Sequence, residues 1–227
     1  MTKPIFITAT DTESGKTKIA SALLEKLSKY GKTIGFKPIA AGCETDEVGL
    51  INEDALILQQ SASVPLTYST VNPIALEPAI APHIAAQLAN VALNKEVLQK
   101  AYQDILKTEA DYLIIEGAGG WKLPLNENEF MSDWVADNKL PVILVVGMKL
   151  GCLNHALLSL DSIKQSGVTL LGWVANCIEG EMPYLAENIT TLESYIAKHF
   201  DAPKLGTVPR LTQGQSAQEY LSIDCIL

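Results

Sequence analysis

The sequence predicts one α/β domain over residues 1–227: a doubly wound, mostly parallel sheet with helices on both faces. Three observations predict it. The runs Tyr112–Ile115 and Pro141–Val146 are apolar at every position, as strands are when both of their faces are buried. Strand-like runs alternate with stretches of helical period, the pattern of βαβ connections. Glycine clusters follow the apolar runs at Gly117–Gly120 and around Gly147, at the strand ends where open α/β sheets bind ligands.

In chain order, Ile5–Ile7 reads as a short buried strand. Small and polar residues follow, then Gly15-Lys16-Thr17. Ile19, Ala20, Ala22, Leu23, Leu24 and Leu27 then mark one face of a helix. Strand, loop, Gly-Lys-Thr and helix form the context of a phosphate-binding loop (P-loop). Peptide N–H groups at a helix start point at anionic oxygens, and the helix dipole favours them. Gly15 permits close backbone approach. Lys16 can set a cation against outer phosphates, and the Thr17 hydroxyl can ligate magnesium. Thr10 stands where the usual pattern has its first glycine.

Gly31 ends the helix pattern, and Thr33–Ile39 reads as the second strand. It carries Lys37 before Pro38, near the carboxyl end, with Gly42 close behind. That position suits a ligand contact, and a solvated lysine at a strand exit fits it as well. Asn52–Gln60 reads as a helix with Asp54 in its first turn, where an acid commonly serves the helix dipole. Val64–Pro82 is long and proline-rich, the character of a binding loop or lid rather than a plain connector. Helices are expected over His83–Val91 and Lys95–Lys107.

Tyr112–Glu116 is the third strand, apolar until Glu116. An acid closing a buried strand, paired with a P-loop upstream, suits a magnesium-site carboxylate. An ordinary strand end before a glycine turn is the alternative. Pro141–Val146 is the fourth strand. Leu157, Leu160 and Ile163 define a helix that ends at Gly167. Leu170–Ala175, closed by Asn176, is the fifth strand, Glu187–His199 a helix and Lys204–Pro209 the sixth strand. The tail from Gln213 is weakly specified.

Composition narrows the function classes. The 227 residues carry a net charge of −9, with 48% hydrophobic and 19% charged residues. That is globular rather than disordered, and too acidic for a nucleic-acid partner. No apolar run is long enough to span a bilayer, and no targeting segment is visible. Cys43, Cys152, Cys177 and Cys225 are scattered without a C-x-x-C pair. They read as free thiols in a reducing compartment, and the cytoplasm is expected. His83, His155 and His199 lack metal-ligand spacing.

Several segments together resemble the dethiobiotin synthetase family. They are Thr10–Thr17, Gly35–Pro38, Asn52–Leu56, Glu-Gly-Ala-Gly-Gly-Trp at 116–121, Lys-Leu-Gly-Cys-Leu-Asn-His at 149–155, and Gly-Trp-Val-Ala-Asn at 172–176. The resemblance covers nearly the whole chain, and the 116–120 and 149–155 segments are its specific parts. It implies a P-loop NTPase-like fold and a homodimer. It also implies a reaction in which ATP, carbon dioxide and 7,8-diaminononanoate give dethiobiotin, ADP and phosphate.

The resemblance assigns roles by position. Magnesium falls to Thr17, Asp54 and Glu116. Lys37, Lys16 and Thr12 become the catalytic set, with Thr12 and Lys37 on the diamine and its carbamate. ATP falls to Glu13, Ser14, Gly15, Lys16, Thr17, Asp54, Glu116, Gly119, Asn176 and Cys177, with Pro209, Arg210 and Leu211 on the adenine side. The substrate also takes Ala41, and across the dimer Gly151, Cys152, Leu153 and Asn154. Ala41 replaces a serine that often contacts the diamine, and Ala9 and Ser14 also depart from the common pattern.

Two other classes share such a fold. Partitioning ATPases carry a lysine early in the P-loop, where this chain has Asp11. A GTPase switch needs Asn-Lys-x-Asp, which Asn176-Cys177-Ile178-Glu179 does not supply. A silent regulatory domain would have no need to keep Lys16, Thr17, Lys37, Asp54 and Glu116 together.

Overall fold

The six strands expected from the sequence lie in one sheet. The computed structural model describes residues 2–47, 49–179 and 181–227. Its strands are β1 (Lys3–Ala9), β2 (Thr33–Phe36), β3 (Ile39–Ala41), β4 (Glu44–Asp46), β5 (Gly49–Ile51), β6 (Ile74–Leu76), β7 (Tyr112–Glu116), β8 (Val142–Gly147), β9 (Leu170–Asn176) and β10 (Lys204–Val208). Its helices are α1 (Lys16–Leu27), α2 (Glu53–Ser61), α3 (Tyr68–Val71), α4 (Pro82–Leu88), α5 (Lys95–Ile105), α6 (Met131–Asp137), α7 (Cys152–Gln165) and α8 (Leu185–His199). The main sheet runs β10-β9-β8-β1-β7-β2, and every pairing in it is parallel.

Burial explains the apolar runs. Side chains alternate between the faces of each strand, and both faces are covered. Phe6, Leu113, Ile115, Leu144 and Val146 join the core formed with α5 to α8. Ile5, Ile7, Ile114, Ile143 and Val145 join the core formed with α1 and the C-terminal tail. Among the described residues, no helix is long and apolar enough to cross a membrane.

Three features depart from the sequence expectation. The strand expected over Thr33–Ile39 is broken, because β2 ends at Phe36 and β3 restarts at Ile39. Pro38 lacks the N–H a ladder needs, so it sits at the break. β3 then pairs with β6 in a separate two-stranded parallel sheet, and β4 pairs with β5. Within Val64–Pro82 the structure has a short helix and a strand, α3 and β6. The tail is ordered against the sheet. Leu221 bridges Gly206 of β10, and Lys26 of α1 donates to the carbonyl oxygens of Gln218 and Leu221.

Candidate active site

Strand register assembles the site. Ile7 of β1 pairs with Glu116 of β7, and Phe36 of β2 pairs with Ile115. One residue beyond Phe36, Lys37 therefore stands beside Glu116 at the carboxyl edge of the sheet. β1 leads into the loop before α1, which brings Thr17 to the same edge. α2 packs against α1 and β2 and delivers Asp54 from its first turn.

The contacts are short. Lys37 Nζ lies 2.7 Å from Glu116 Oε1 and 3.3 Å from Asp54 Oδ2. The Thr17 hydroxyl donates to the same Glu116 Oε1 at 2.9 Å. Glu116 Oε2 is buried without a hydrogen-bond partner among the described residues. Burial opposes the charge on Lys37, but Glu116 and then Asp54 outweigh it and hold the ammonium's pKa above the ordinary lysine value. Lys16 is different. Burial is the largest influence and pulls its pKa below the ordinary value; Glu116 opposes this and Lys37 adds to it.

The loop ahead of α1 is built to hold an anion. Gly15 adopts φ +85° as the residue before α1, a conformation that favours glycine. A Cβ there would also come 2.1 Å from Asn176 Nδ2. The first turn of α1 contains no acid, which leaves its N–H groups and dipole uncompensated. Thr10, standing in for the missing glycine, accepts from the Gly147 N–H at 3.4 Å, and its hydroxyl lies 3.3 Å from Ser14 Oγ. Asp11 accepts from Lys149 Nζ at 2.8 Å. That bond leads the causes that hold the Asp11 carboxyl below its usual range.

A cavity of about 790 Å³ opens here. Thr12, Glu13, Gly15, Lys16, Thr17, Lys37, Ala41, Asp54, Glu116 and Gly119 line it, all expected from the sequence. Ser14 does not, because its side chain is fully buried beneath the loop. Asn176, also fully buried, donates to the Ser14 carbonyl at 2.8 Å and so supports the loop from below. Cys177, Pro209, Arg210 and Leu211 lie outside the lining, as do Gly151, Cys152, Leu153 and Asn154 at the start of α7.

The cavity also has walls that sequence reasoning missed. Ala40, Asn52, Ala79–Pro82, Ala118 and Leu123 contribute to them. Pro82 carried a signal as a proline at a helix start. Ala79–Pro82 belong to the stretch Val64–Pro82 read as a binding loop or lid, although no residue of it was singled out; Ala40 carried no signal.

The donor set fits a small hard cation. Thr17, Asp54 and Glu116 offer only oxygen, and one Glu116 oxygen lacks a partner. Among the described residues no three His, Cys, Asp or Glu side chains converge. A metal here would therefore take two carboxylates, one hydroxyl and non-protein oxygens.

Known proteins resemble this chain in sequence and in fold. A family model described as an AAA domain matches residues 3–218. The chain is 47% identical over 215 residues to the ATP-dependent dethiobiotin synthetase BioD of Cellvibrio japonicus, covering 94% of this chain and 92% of that protein. It is 46% identical over 220 residues to the protein of the same name from Pseudomonas aeruginosa, covering 96% and 95%. Among solved structures, the septum site-determining protein MinD of Pyrococcus horikoshii, complexed with Mg-ADP, superposes with TM-score 0.54 at 19% identity over 92% of this chain and 82% of that chain. A ParA family ATPase from Chlorobium tepidum gives 0.53 at 14% over 98% and 92%. At those identities the structures share the fold alone.

Proposed function

We propose a reaction from the premise that this chain belongs to the ATP-dependent dethiobiotin synthetase family. It joins carbon dioxide to 7,8-diaminononanoate and closes the ureido ring of dethiobiotin, with ATP converted to ADP and phosphate. One amine of the diamine adds to carbon dioxide and loses a proton, giving a carbamate. A carbamate oxygen takes the γ-phosphoryl group, and ADP leaves. The second amine attacks the activated carbonyl carbon, and phosphate leaves.

The observation that carries this reading is the meeting of Lys16, Lys37, Thr17, Asp54 and Glu116 on one cavity. Carbamate and triphosphate are both anions, so bringing them together needs fixed positive charge. Lys37 sits at the sheet edge for the carbamate, and Lys16 and the start of α1 face the phosphates. Thr12 lines the same cavity, and its hydroxyl can donate to the carbamate. Thr17, Asp54 and Glu116 would hold magnesium, which when bound offsets phosphate charge. Ala40, Ala41, Ala79, Ile80 and Leu123 make that side of the cavity apolar, matching an aliphatic chain.

The second subunit's part rests on α7. Gly151 precedes it at φ +91°, and the N–H groups of its first turn can receive the substrate's carboxylate. Leu150 is 94% exposed and Leu158 62%, so this face favours a partner. The chain acts as a two-fold dimer with each site completed across the interface. The four cysteines are unpaired, which supports a cytoplasmic setting.

Turnover tests the function. Dethiobiotin and phosphate should form in step when ATP, bicarbonate as the carbon dioxide source, magnesium and diaminononanoate are supplied. ATP hydrolysis without the diamine, at the same rate, would instead favour an ATPase switch.

A further inference from the structure

Lys37 occupies a joint that neither sheet closes. The β2 ladder ends at Phe36 and the β3 ladder begins at Ile39, so both peptide groups of Lys37 need partners from elsewhere. They find them at the end of α3, in its last residue Val71 and in Asn72, which follows it. The Lys37 N–H donates to the Val71 carbonyl at 2.9 Å. The Lys37 carbonyl accepts from Asn72 Nδ2 at 2.6 Å, and Asn72 is only 3% exposed.

The chain of bonds continues. Asn72 Oδ1 accepts from the Tyr68 hydroxyl at 3.0 Å. The Tyr68 oxygen in turn accepts from the Asn52 N–H at 2.7 Å. Asn52 is the N-cap residue of α2, two positions before Asp54. Three hydrogen bonds thus connect the backbone under Lys37 to the start of the helix that carries Asp54.

Their polarity admits one arrangement. A peptide N–H can only donate and a peptide carbonyl can only accept. The Lys37 carbonyl therefore orients the Asn72 amide, and Asn72 and Asn52 together orient the Tyr68 hydroxyl. A hydrogen-bonded chain of this kind, buried at Asn72 and half-buried at Tyr68, stiffens what it joins.

We propose that Tyr68 and Asn72 are positioning residues for the ligase reaction, setting the Lys37 ammonium against the Asp54 carboxylate. This rests on the roles read above for Lys37 and Asp54. Neither Tyr68 nor Asn72 lines the cavity, so both act through the two residues they hold. The spacing they maintain is the 3.3 Å between Lys37 Nζ and Asp54 Oδ2.

Two variants test it. Tyr68→Phe removes one oxygen and cuts two of the three bonds. Asn72→Asp keeps the acceptor facing Tyr68 but loses the donor to Lys37. In each, kcat per folded site should fall about tenfold or more, the scale of a small misplacement at a reacting centre. KM for ATP should stay within about twofold, because the P-loop contacts are untouched. The magnesium concentration for half-maximal ATP binding, read without diamine, should rise several-fold. Merely structural support would lower the melting temperature and the folded fraction alone. Unchanged kcat per folded site with unchanged magnesium dependence overturns the proposal. If the wild type fails to form dethiobiotin, the function reading falls, and the magnesium dependence of ATP binding in Tyr68→Phe still decides the relay.

Discussion

Lys37 Nζ lies 2.7 Å from Glu116 Oε1, and the Glu116 side chain is wholly buried. The ammonium also reaches Asp54, so one internal cation serves both carboxylates. Pairing with the ammonium offsets part of the cost of burying this carboxylate. The magnesium proposed for these carboxylates would compete with Lys37 for the same oxygens.

Replacing Lys37 separates its pairing with the carboxylates from its part in turnover. In Lys37→Ala, turnover should fall about a hundredfold or more, as when an electrostatic clamp is lost. ATP binding should survive on Lys16 and Thr17. The ligand-free protein should lose about 3 kcal/mol or more of stability, since Glu116 is left buried without its ion partner. Magnesium should restore part of that loss. Turnover assays and melting curves with and without magnesium check both effects, and near-normal ligase activity would remove Lys37 from the mechanism.

The lowered pKa of Lys16 gives ATP binding an alkaline limit. With its folded value below the unfolded 10.5, the folded protein releases this proton first. The ligand-free protein therefore gains stability as pH rises between those two values. ATP requires the charged amine, so affinity should decline with rising pH before 10.5 is reached. Lys37, held above the ordinary value, keeps its charge through that range. In Lys16→Arg the decline should disappear, because a guanidinium stays protonated. Calorimetric ATP titrations across alkaline pH check this; the same decline in Lys16→Arg would assign it to another group.

Mixing two inactive chains tests the shared site. Leu153→Asp should weaken diamine binding across the interface, and ATP binding should change much less. A heterodimer of Lys37→Ala and Leu153→Asp chains has one site with both lesions and one with neither. Activity should partly return on mixing. No recovery, although heterodimers are present by native mass measurement, would mean each site is complete within one chain.

The sheet was legible because apolar runs announce strands buried on both faces. The grouping of Lys37, Asp54 and Glu116 came from the family resemblance, since Lys37 alone reads equally as a solvated strand exit and Asp54 as a dipole partner in the first turn of α2. The rest left weaker marks. β3 and β6 have three residues each, too few for a period. α6, with seven residues, follows a turn and was not expected. Tyr68 and Asn72 act over separations of 16 and 35 residues, and their neighbours do not reveal such partners. Asn176, expected among the ATP contacts, has its amide on the P-loop carbonyl at Ser14. Only the three-dimensional register shows that.

The tail that crosses β10 also governs how copies of this chain meet. An outer strand left bare offers unpaired N–H and C=O groups as a template for another chain. Here Leu221 bridges Gly206 and the Ser222 N–H donates to the Leu205 carbonyl at 2.6 Å. The approach is so close that a Cβ on residue 206 would stand 1.9 Å from the Tyr220 carbonyl oxygen. At the opposite margin, the Val64 N–H donates to the Thr33 carbonyl at 3.1 Å. With both margins occupied, strand-by-strand stacking into fibres is disfavoured. The dimer proposed above would instead form through the exposed Leu150 and Leu158 at α7, a contact between like faces that closes on itself.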